Sequence, residues 1–451
     1  MTRPDLRPRR LLVVWAPLAL TFLLLSGGTP VINASINRLP GIVPEEELAA
    51  FSLLLGLAIF LQSPLFVTRE IAIKLSVDRA GSNAALRVCL AAGLCVSAFE
   101  LILGFTPLGA WLLGEFTDRT GIIARAHAAI PFISPMPILI AIRGVYQAHQ
   151  IRVDDTLFVG FGSLLRLVAT GIVGLVLGPE LGWSGPRLGA VCMTFGAALE
   201  MGFAVWRARA RARPPATAPE GTRRLSPWGF AVPLMFANFL GVASSLFYLK
   251  MAGGVPAADQ AASLATFQEA RSLQWLVVSG AIALQSLTTA KVRTPEDARA
   301  MIRFAFMVSG SLSVLFLACV AVTPVRQFIL VELLGEEIGS PVLEFVPPLL
   351  FLAAFMPLLQ GLRFSLRGVL IARGLTKTIT ATTILTLLLL ATALAFSWTV
   401  SERNGGLTAY VWWIVAVLLE IVLLSRYALK ARPKESALPV PLKSPREATG
   451  G

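Results

Sequence analysis

Long apolar runs, separated by short charged or Gly- and Pro-rich breaks, make up most of the sequence. The first extends from Leu11 to Ile32 and the last from about Leu407 to Leu429. A helix of about 20 apolar residues crosses the roughly 30 Å hydrocarbon core of a bilayer, so runs of this length predict membrane spans. No small-residue cleavage site closes the first run, which predicts an uncleaved helix and not a signal peptide. Because the alternating pattern of barrel strands does not occur, we predict an all-α polytopic membrane protein.

The breaks divide the chain into twelve predicted spans, six on each side of a basic, Pro-rich stretch. The predicted spans are 11–36, 47–68, 87–113, 122–146, 156–178 and 187–206 in the first half, and 228–250, 261–290, 299–323, 343–371, 377–399 and 407–429 in the second. The predicted domains are an N-terminal six-helix bundle at 1–206, a basic cytoplasmic linker at 207–227, a C-terminal six-helix bundle at 228–430 and a disordered cytoplasmic tail at 431–451.

The distribution of basic residues predicts the orientation of the chain in the membrane. With the N-terminus placed inside, most of the 39 Lys and Arg residues fall in cytoplasmic loops, as the positive-inside rule requires. The exceptions on the outer side are Arg38, Arg119, Arg125, Arg187, Lys250, Arg326 and Arg403. We therefore predict a multi-pass protein of the inner (plasma) membrane with both termini in the cytoplasm.

Composition and motifs argue against several other classes of protein. The excess of basic over acidic residues reflects this loop bias, so we expect no nucleic-acid partner. The four cysteines and two histidines share no metal-ligand spacing, and no GxxxxGK[ST] loop is present. We therefore expect no cofactor, no metal site, no catalytic residues and no enzymatic activity.

The two halves share short sequence matches that predict an internal repeat. Leu48-Ala49 matches Leu264-Ala265 at an offset of 216 residues, and Leu199-Glu200 matches Leu419-Glu420 at an offset of 220. Arg143-Gly144-Val145 matches Arg367-Gly368-Val369 at an offset of 224. Because each half has an even number of spans, both enter the membrane from the same side. This predicts a parallel repeat, related by a pseudo-two-fold axis along the membrane normal, with a cleft between two bundles.

The twelve spans in two sets of six, joined by a basic linker, resemble the multidrug/oligosaccharidyl-lipid/polysaccharide (MOP) exporter superfamily. The turns RGVYQAHQIRVDD and RGVLIARGLTK after the fourth and tenth spans resemble the Arg-Gly…Gly-(Arg/Lys)-Thr turn of that superfamily. The segments PLALTFLLLSGGTPVINASINR and LAAFSLLLGLAIF are more similar to its progressive-ankylosis (ANK) branch, which exports small polyanions. The resemblance implies a secondary transporter. The first span departs from the pattern of prokaryotic MATE drug exporters, because it has no acidic residue.

Polar residues on spans one, two, seven and eight are the candidate substrate-binding residues, because the resemblance implies that these spans line the cleft. They are Asn33, Asn37, Arg38, Gln62, Asn238, Glu269, Arg271 and Gln274. A charge inside a span is costly, and a guanidinium fits a carboxylate or phosphate in a bidentate fashion, so Arg271 is the first candidate. The alternative for Arg271 is a purely structural pair with Glu269 or another carboxylate.

Other charged residues inside spans suggest coupling or structural roles. Glu100 and Glu269 are the candidate coupling acids, although Glu100 is also predicted to pair structurally with Arg166. Glu200 and Glu420 are predicted to form repeat-related structural pairs with Arg207 and Arg426 nearby. Arg143 and Arg367 are either cytoplasmic anchors or candidate gate residues.

The sequence therefore predicts alternating-access export of a hydrophilic or amphipathic anion. The partners we expect are a small-molecule or lipid-linked anionic substrate, membrane lipid, and H+ or Na+ as a coupling ion. A flippase for a lipid-linked saccharide, a cation-coupled multidrug exporter resembling the MATE proteins, and a non-transporting membrane scaffold are the alternatives.

Overall fold

A computed structural model describes residues 6–36, 38–40, 44–115, 119–218, 225–333 and 341–430. Within these ranges the chain is helical and no β-strand occurs. The first half contains α1 (Pro8–Ile36), α2 (Pro44–Gln62), α3 (Thr68–Leu75), α4 (Arg79–Phe105), α5 (Pro107–Gly114), α6 (Thr120–Ile133), α7 (Met136–Arg152), α8 (Thr156–Gly171), α9 (Gly178–Leu181) and α10 (Gly185–Arg211). The second half contains α11 (Pro227–Ala252), α12 (Ala257–Lys291), α13 (Pro295–Ala321), α14 (Thr323–Gln327), α15 (Pro341–Ala353), α16 (Met356–Ala372), α17 (Thr376–Ala395) and α18 (Gly405–Lys430).

The helices confirm the predicted number of spans. Within the part of the chain that the structure describes, eleven helical stretches are long and apolar enough to cross a membrane, and α6 with α7 form a twelfth that bends by 42°. The bend lies between Ile133 and Met136, and α15 ends and α16 begins at the matching place in the second half. Pro137 and Pro357 stand in the first turn of α7 and α16. Proline is tolerated there because the first N–H groups of a helix have no partner within it.

Contacts between residues divide the chain into two compact units. One contains Val14–Phe239, and the other contains the described residues from Leu240 onwards together with the first residues up to Val13. The division falls inside α11 and not in the predicted linker at 207–227, into which α10 extends as far as Arg211. The predicted tail at 431–451 lies outside the described residues.

Each unit buries its own apolar core, which holds the polar residues of that unit in place. In the first unit the core joins α2, α4, α5, α6, α7 and α10 through residues such as Leu54, Leu103 and Ile130. In the second unit it joins α11, α12, α15, α16 and α18 through residues such as Phe267, Leu349 and Tyr410. Lipid cannot hydrogen-bond the backbone, so helices that satisfy their own N–H and C=O groups are the form that these spans can take.

The turns after α7 and α16 correct the predicted register of the repeat. Asp154 and Gly374 both adopt a left-handed backbone, with φ of 62° and 75°. The next amide in each turn, that of Asp155 or Leu375, donates to a carbonyl five residues earlier at 2.9 Å. This is a Schellman motif, and it closes both helices 220 residues apart. The predicted offset of 224 is therefore wrong at this point.

The corrected register changes which residues correspond in the two halves. Arg143 of α7 aligns with Arg363 of α16, and Gln147 aligns with Arg367. The short Arg-Gly-Val match lies one helical turn later in α16 than in α7. Helix starts and the shared turn fix the register, whereas a three-residue match does not.

Gly144 marks a close approach between α7 and α3. A Cβ atom there would lie 2.1 Å from Oγ1 of Thr68. We expect Gly144→Ala to lower the free energy of unfolding by about 1–3 kcal/mol, because the packed backbone must move to admit the methyl group. In Gly202→Ala, the matched control on α10, the methyl group meets nothing within 4 Å. Helix propensity then favours alanine by up to about 1 kcal/mol. Thermal unfolding of both variants in detergent measures the difference, and an equal Tm would contradict the close approach.

Candidate substrate and coupling sites

Arg271 lies near the middle of α12, a 35-residue helix that is longer than a bilayer core requires. It is partly exposed. Its guanidinium finds no hydrogen-bond or ion-pair partner among the described residues. Arg271 lies in the predicted span 261–290, two residues before the apolar stretch Leu273–Lys291. A charge at this position is costly unless something compensates it, so a guanidinium without a partner among the described residues makes Arg271 a candidate functional residue.

Two other polar groups beside Arg271 also lack partners. Gln274 lies one turn further along α12 and is fully buried, and neither its amide nitrogen nor its amide oxygen has a partner among the described residues. The hydroxyl of Tyr410 on α18 is likewise buried and unpaired there. Arg271 is close enough to Tyr410 and to Tyr248 of α11 to interact with both electrostatically. Buried polar groups are almost always hydrogen-bonded, so this set indicates a place for water or a ligand.

Aromatic rings surround these polar groups. The rings of Tyr248 and Trp413 stack with centroids 5.2 Å apart and an angle of 24°. Tyr410 contacts Trp413 at 5.6 Å and meets Phe267 edge-on at 5.6 Å. Arg271, Gln274, Tyr248, Tyr410 and Trp413 are called the Arg271 site below, and all of them belong to the second unit.

Glu100 is a buried acidic residue of the first unit that forms no ion pair with the described residues. It is 1% exposed on α4, and its Oε1 accepts a hydrogen bond of 2.9 Å from Nε2 of Gln62. Its Oε2 has no partner among the described residues, nor does the hydroxyl of Ser97, one turn earlier on α4. The predicted pair between Glu100 and Arg166 is wrong, because Arg166 binds Glu200. A buried carboxylate without a cation is costly, so the Glu100 site (Gln62, Ser97 and Glu100) suits a proton or a small cation.

Glu200 holds a cluster of basic and polar residues together in the first unit. Its Oε2 pairs with Nη1 of Arg143 at 2.5 Å and with Nη1 of Arg166 at 3.5 Å. Its Oε1 accepts hydrogen bonds of 3.0 Å from Nε2 of Gln147 and from the hydroxyl of Ser163. This cluster joins α7, α8 and α10. Since four groups stabilise one fully buried carboxylate, Arg143 holds helices together at this point.

Glu420 holds the corresponding cluster in the second unit. Its carboxylate pairs with Nε of Arg363 at 2.7 Å and with Nε of Arg367 at 3.5 Å. The predicted partners Arg207 and Arg426 do not take part among these contacts, and Arg207 pairs with Asp155 at 2.7 Å. The repeat-related glutamates thus join helices as predicted, but through different arginines. Arg143 and Arg367 are both bound to the glutamates of these clusters. A role of the two arginines in gating stays a prediction.

The remaining candidate residues lie in different surroundings. Asn33 is partly exposed on α1, and Arg38 is exposed in the turn that follows it. Asn238 of α11 donates from Nδ2 to the backbone carbonyl of Ser63 at 2.5 Å, where α2 ends. Asn37 and the side chain of Glu269 lie outside the described residues. Arg271 and Gln274 therefore lie one turn apart on α12, and Gln62 donates a hydrogen bond to Glu100. The side-chain amide of Asn238 is bound to a backbone carbonyl.

Sequence inspection missed the tyrosines of the Arg271 site. The chain contains 26 phenylalanines and only 4 tyrosines. A buried tyrosine hydroxyl usually needs a partner, so a tyrosine inside a span of a Phe-rich chain is the signal that points to Tyr248 and Tyr410.

Comparison with known proteins gives the fold but no close relative. No protein family model matches the sequence, and no curated protein matches it. Solved structures match over almost the whole chain. The eukaryotic MATE transporter AtDTX14 superposes with a TM-score of 0.72 at 15% identity, covering 95% of this chain and 98% of that one. A MOP superfamily transporter from Pyrococcus furiosus gives 0.70 at 13% identity, covering 96% and 100%. A mutant of the Vibrio cholerae MATE transporter VcmN gives 0.71 at 16% identity, covering 94% and 98%.

The chain has the fold of the MOP superfamily. The shared fold confirms the predicted all-α architecture of twelve spans in two repeats, in keeping with the long apolar helices of the described residues. None of the three structures is described as a member of the progressive-ankylosis branch, so that finer resemblance gains no support.

Proposed function

We propose that this chain is a secondary transporter that moves an anionic substrate outward across the inner membrane by alternating access, with both termini in the cytoplasm. The observation that carries the proposal is the Arg271 site. It offers the guanidinium of Arg271 next to a buried amide and a buried hydroxyl, and none of the three has a hydrogen-bond or ion-pair partner among the described residues. A guanidinium binds carboxylate or phosphate through two parallel hydrogen bonds, so these groups together suit an anion.

Two further observations support an anionic substrate. The described part of α1 contains no acidic residue, so no carboxylate stands there to bind a cationic substrate. The Pyrococcus furiosus transporter is described as having a binding pocket of reverse polarity that suggests a different function. The Arg271 site is likewise a basic site on this fold, which supports a substrate of negative charge.

Counterflow into liposomes of the purified protein tests this proposal. Vesicles are preloaded with one unlabelled anion, and uptake of the labelled form is followed for benzoate, citrate, pyrophosphate and ATP. We expect at least one to accumulate above protein-free vesicles. If none does, although the protein is folded and correctly inserted, small-anion transport is refuted and a lipid-linked saccharide becomes the leading substrate.

The Glu100 site favours a second candidate function, a cation-coupled exporter resembling the MATE drug exporters. A carboxylate with one free oxygen beside an unpaired serine hydroxyl provides oxygen ligands of the type that bind Na+, or a group that takes up H+. In this function the substrate is an organic cation, so uptake of labelled ethidium separates it from anion export.

Glu100→Gln tests cation coupling directly. The glutamine amide has the size of the carboxylate and can keep the hydrogen bond with Gln62. It carries no charge and does not take up a proton near neutral pH. We expect the variant to lose the stimulation of uptake by an imposed proton or sodium gradient while retaining counterflow. Glu180→Gln, at an exposed position on α9, is the matched control and is expected to keep the stimulation. Equal gradient dependence in Glu100→Gln and wild type would exclude Glu100 as the coupling acid.

A further inference from the structure

The Arg271 site also constrains the class of anion, an inference that rests on the proposed function. Charge gives the first constraint. Two arginines of α16, Arg363 and Arg367, share the carboxylate of Glu420. Arg363 also donates from Nη1 to Oε1 of Gln360 at 3.0 Å. Among the described residues of the Arg271 site, Arg271 is the one cation, and its guanidinium has no acidic partner there, so it is available to the ligand. A polyanion would bring further charges into a span without counter-charges, which costs free energy.

The neutral polar groups give the second constraint. Gln274 offers an amide NH2 group with two donors and a carbonyl acceptor, and Tyr410 offers a hydroxyl that can donate or accept. Both residues are fully buried. A ligand that displaces water from them without forming hydrogen bonds of its own therefore leaves buried polar groups unpaired, which lowers its affinity. A ligand that matches the site carries an uncharged polar group in addition to its single negative charge.

The aromatic rings give the third constraint. Tyr248, Tyr410 and Trp413 lie in one mutually contacting group, within the same apolar core as Phe267 and Ala270 of α12. Side chains of this kind interact with a flat ring through stacked or edge-on contacts, beyond the effect of burying apolar area. The body of the ligand is therefore expected to be an apolar, planar ring and not a flexible polyol or polyphosphate.

We propose that the substrate bound at the Arg271 site is an aromatic monoanion, an aromatic carboxylate with a second, uncharged polar substituent. The carboxylate binds the fork of Arg271, the substituent binds Gln274 or Tyr410, and the ring packs against Tyr248 and Trp413. This class differs from the small polyanions that the progressive-ankylosis resemblance implies.

The test compares matched ligands on the purified full-length protein, by equilibrium binding in detergent and counterflow in liposomes. The ligands are 4-hydroxybenzoate, benzoate, cyclohexanecarboxylate, citrate and pyrophosphate. We expect benzoate to bind roughly three- to tenfold more tightly than cyclohexanecarboxylate, which has the charge and a ring but no π-system. We expect 4-hydroxybenzoate to bind more tightly than benzoate, and citrate and pyrophosphate to be the weakest ligands.

Tyr410→Phe sharpens the test, because it removes one hydroxyl and keeps the ring. It is expected to reduce the preference for 4-hydroxybenzoate over benzoate by about two- to tenfold, with little change in benzoate binding. Gln274→Leu provides a second variant in case the first unfolds. If neither variant changes this preference, the assignment of the uncharged substituent is wrong.

The outcomes separate this inference from the proposed function. If citrate or pyrophosphate is transported through Arg271 and binds as tightly as the aromatic ligands, anion transport stands and the aromatic class is refuted. Equal binding of benzoate and cyclohexanecarboxylate would also refute the aromatic class. If no anion binds or moves, the proposed function itself fails.

Discussion

Proteoliposomes containing Arg271→Ala are expected to accumulate no more labelled anion than protein-free vesicles. The reason is that the variant removes the cation of the Arg271 site and leaves the anionic group of the substrate without the guanidinium that is proposed to bind it. Truncating one partner of a buried, hydrogen-bonded charge pair costs about 2–5 kcal/mol, which weakens binding by a factor of roughly 30 to several thousand. Arg271→Lys keeps the charge but not the planar fork, so we expect weakened uptake that is still measurable. Counterflow at several substrate concentrations measures both effects.

Two matched variants show whether Arg271 acts on substrate or only stabilises the protein. Glu269→Gln removes the acid that would be its structural partner, and Arg303→Ala removes an exposed arginine of α13. Both are expected to retain uptake. If Glu269→Gln loses uptake and thermal stability to the same extent as Arg271→Ala, the two residues form a structural pair and Arg271 is not the substrate contact.

The largest effect on stability is expected for Glu200→Ala. The variant removes a fully buried carboxylate and leaves Arg143 and Arg166, whose side chains are 11% and 14% exposed, without the group that both contact. Removing one side of a buried ion pair typically costs about 3–5 kcal/mol, because the remaining charge is uncompensated. Glu420→Ala, the repeat counterpart, is expected to lose a similar amount. Thermal unfolding of the detergent-purified variants, together with the yield of folded protein, measures the loss.

Asp155→Ala is the comparison for a less deeply buried pair. Asp155 and its partner Arg207 are both partly exposed, so solvent screens the interaction and we expect a loss of about 1 kcal/mol or less. The double variant Glu200→Gln with Arg143→Gln should recover part of the stability that Glu200→Gln alone loses, since it removes one of the two stranded charges. A Tm for Glu200→Ala equal to that of Asp155→Ala would show that the cluster does not hold the helices together.

The sequence was sufficient to predict the spans and part of the site. Each span is a local property of about 20 residues, so hydropathy alone finds it. The proximity of Arg271 and Gln274 could also be predicted from the sequence, because polar residues three positions apart share one face of a helix. Tyr410 comes from α18 and Tyr248 from α11, and only helix packing places them beside α12. A single sequence contains no direct record of that packing.

Partners of charged residues show the same limit. The chain offers several acids for Arg166, and proximity in span order favoured Glu100. The structure instead places Arg166 on Glu200, because α8 packs against α10. The register of the repeat failed for another reason. The match of Arg143 with Arg367 was real as a sequence match, but the turns at Asp154 and Gly374 show that it lies one helical turn out of register.

The two glutamate clusters show two ways of placing a pair of arginines around one buried glutamate, so the arrangement in one half can guide substitutions in the other. Both halves place two arginines on one buried glutamate, but the second arginine stands on α8 in the first half (Arg166) and on α16 in the second (Arg367). The corresponding positions hold Thr386 and Gln147. Exchanging Arg166 for threonine and Gln147 for arginine would rebuild the first cluster on the plan of the second, without altering the net charge. In each half of the duplicated fold, the arginine that completes the glutamate cluster stands on a different helix. The two halves therefore show two alternative positions for this charge within the same arrangement of helices.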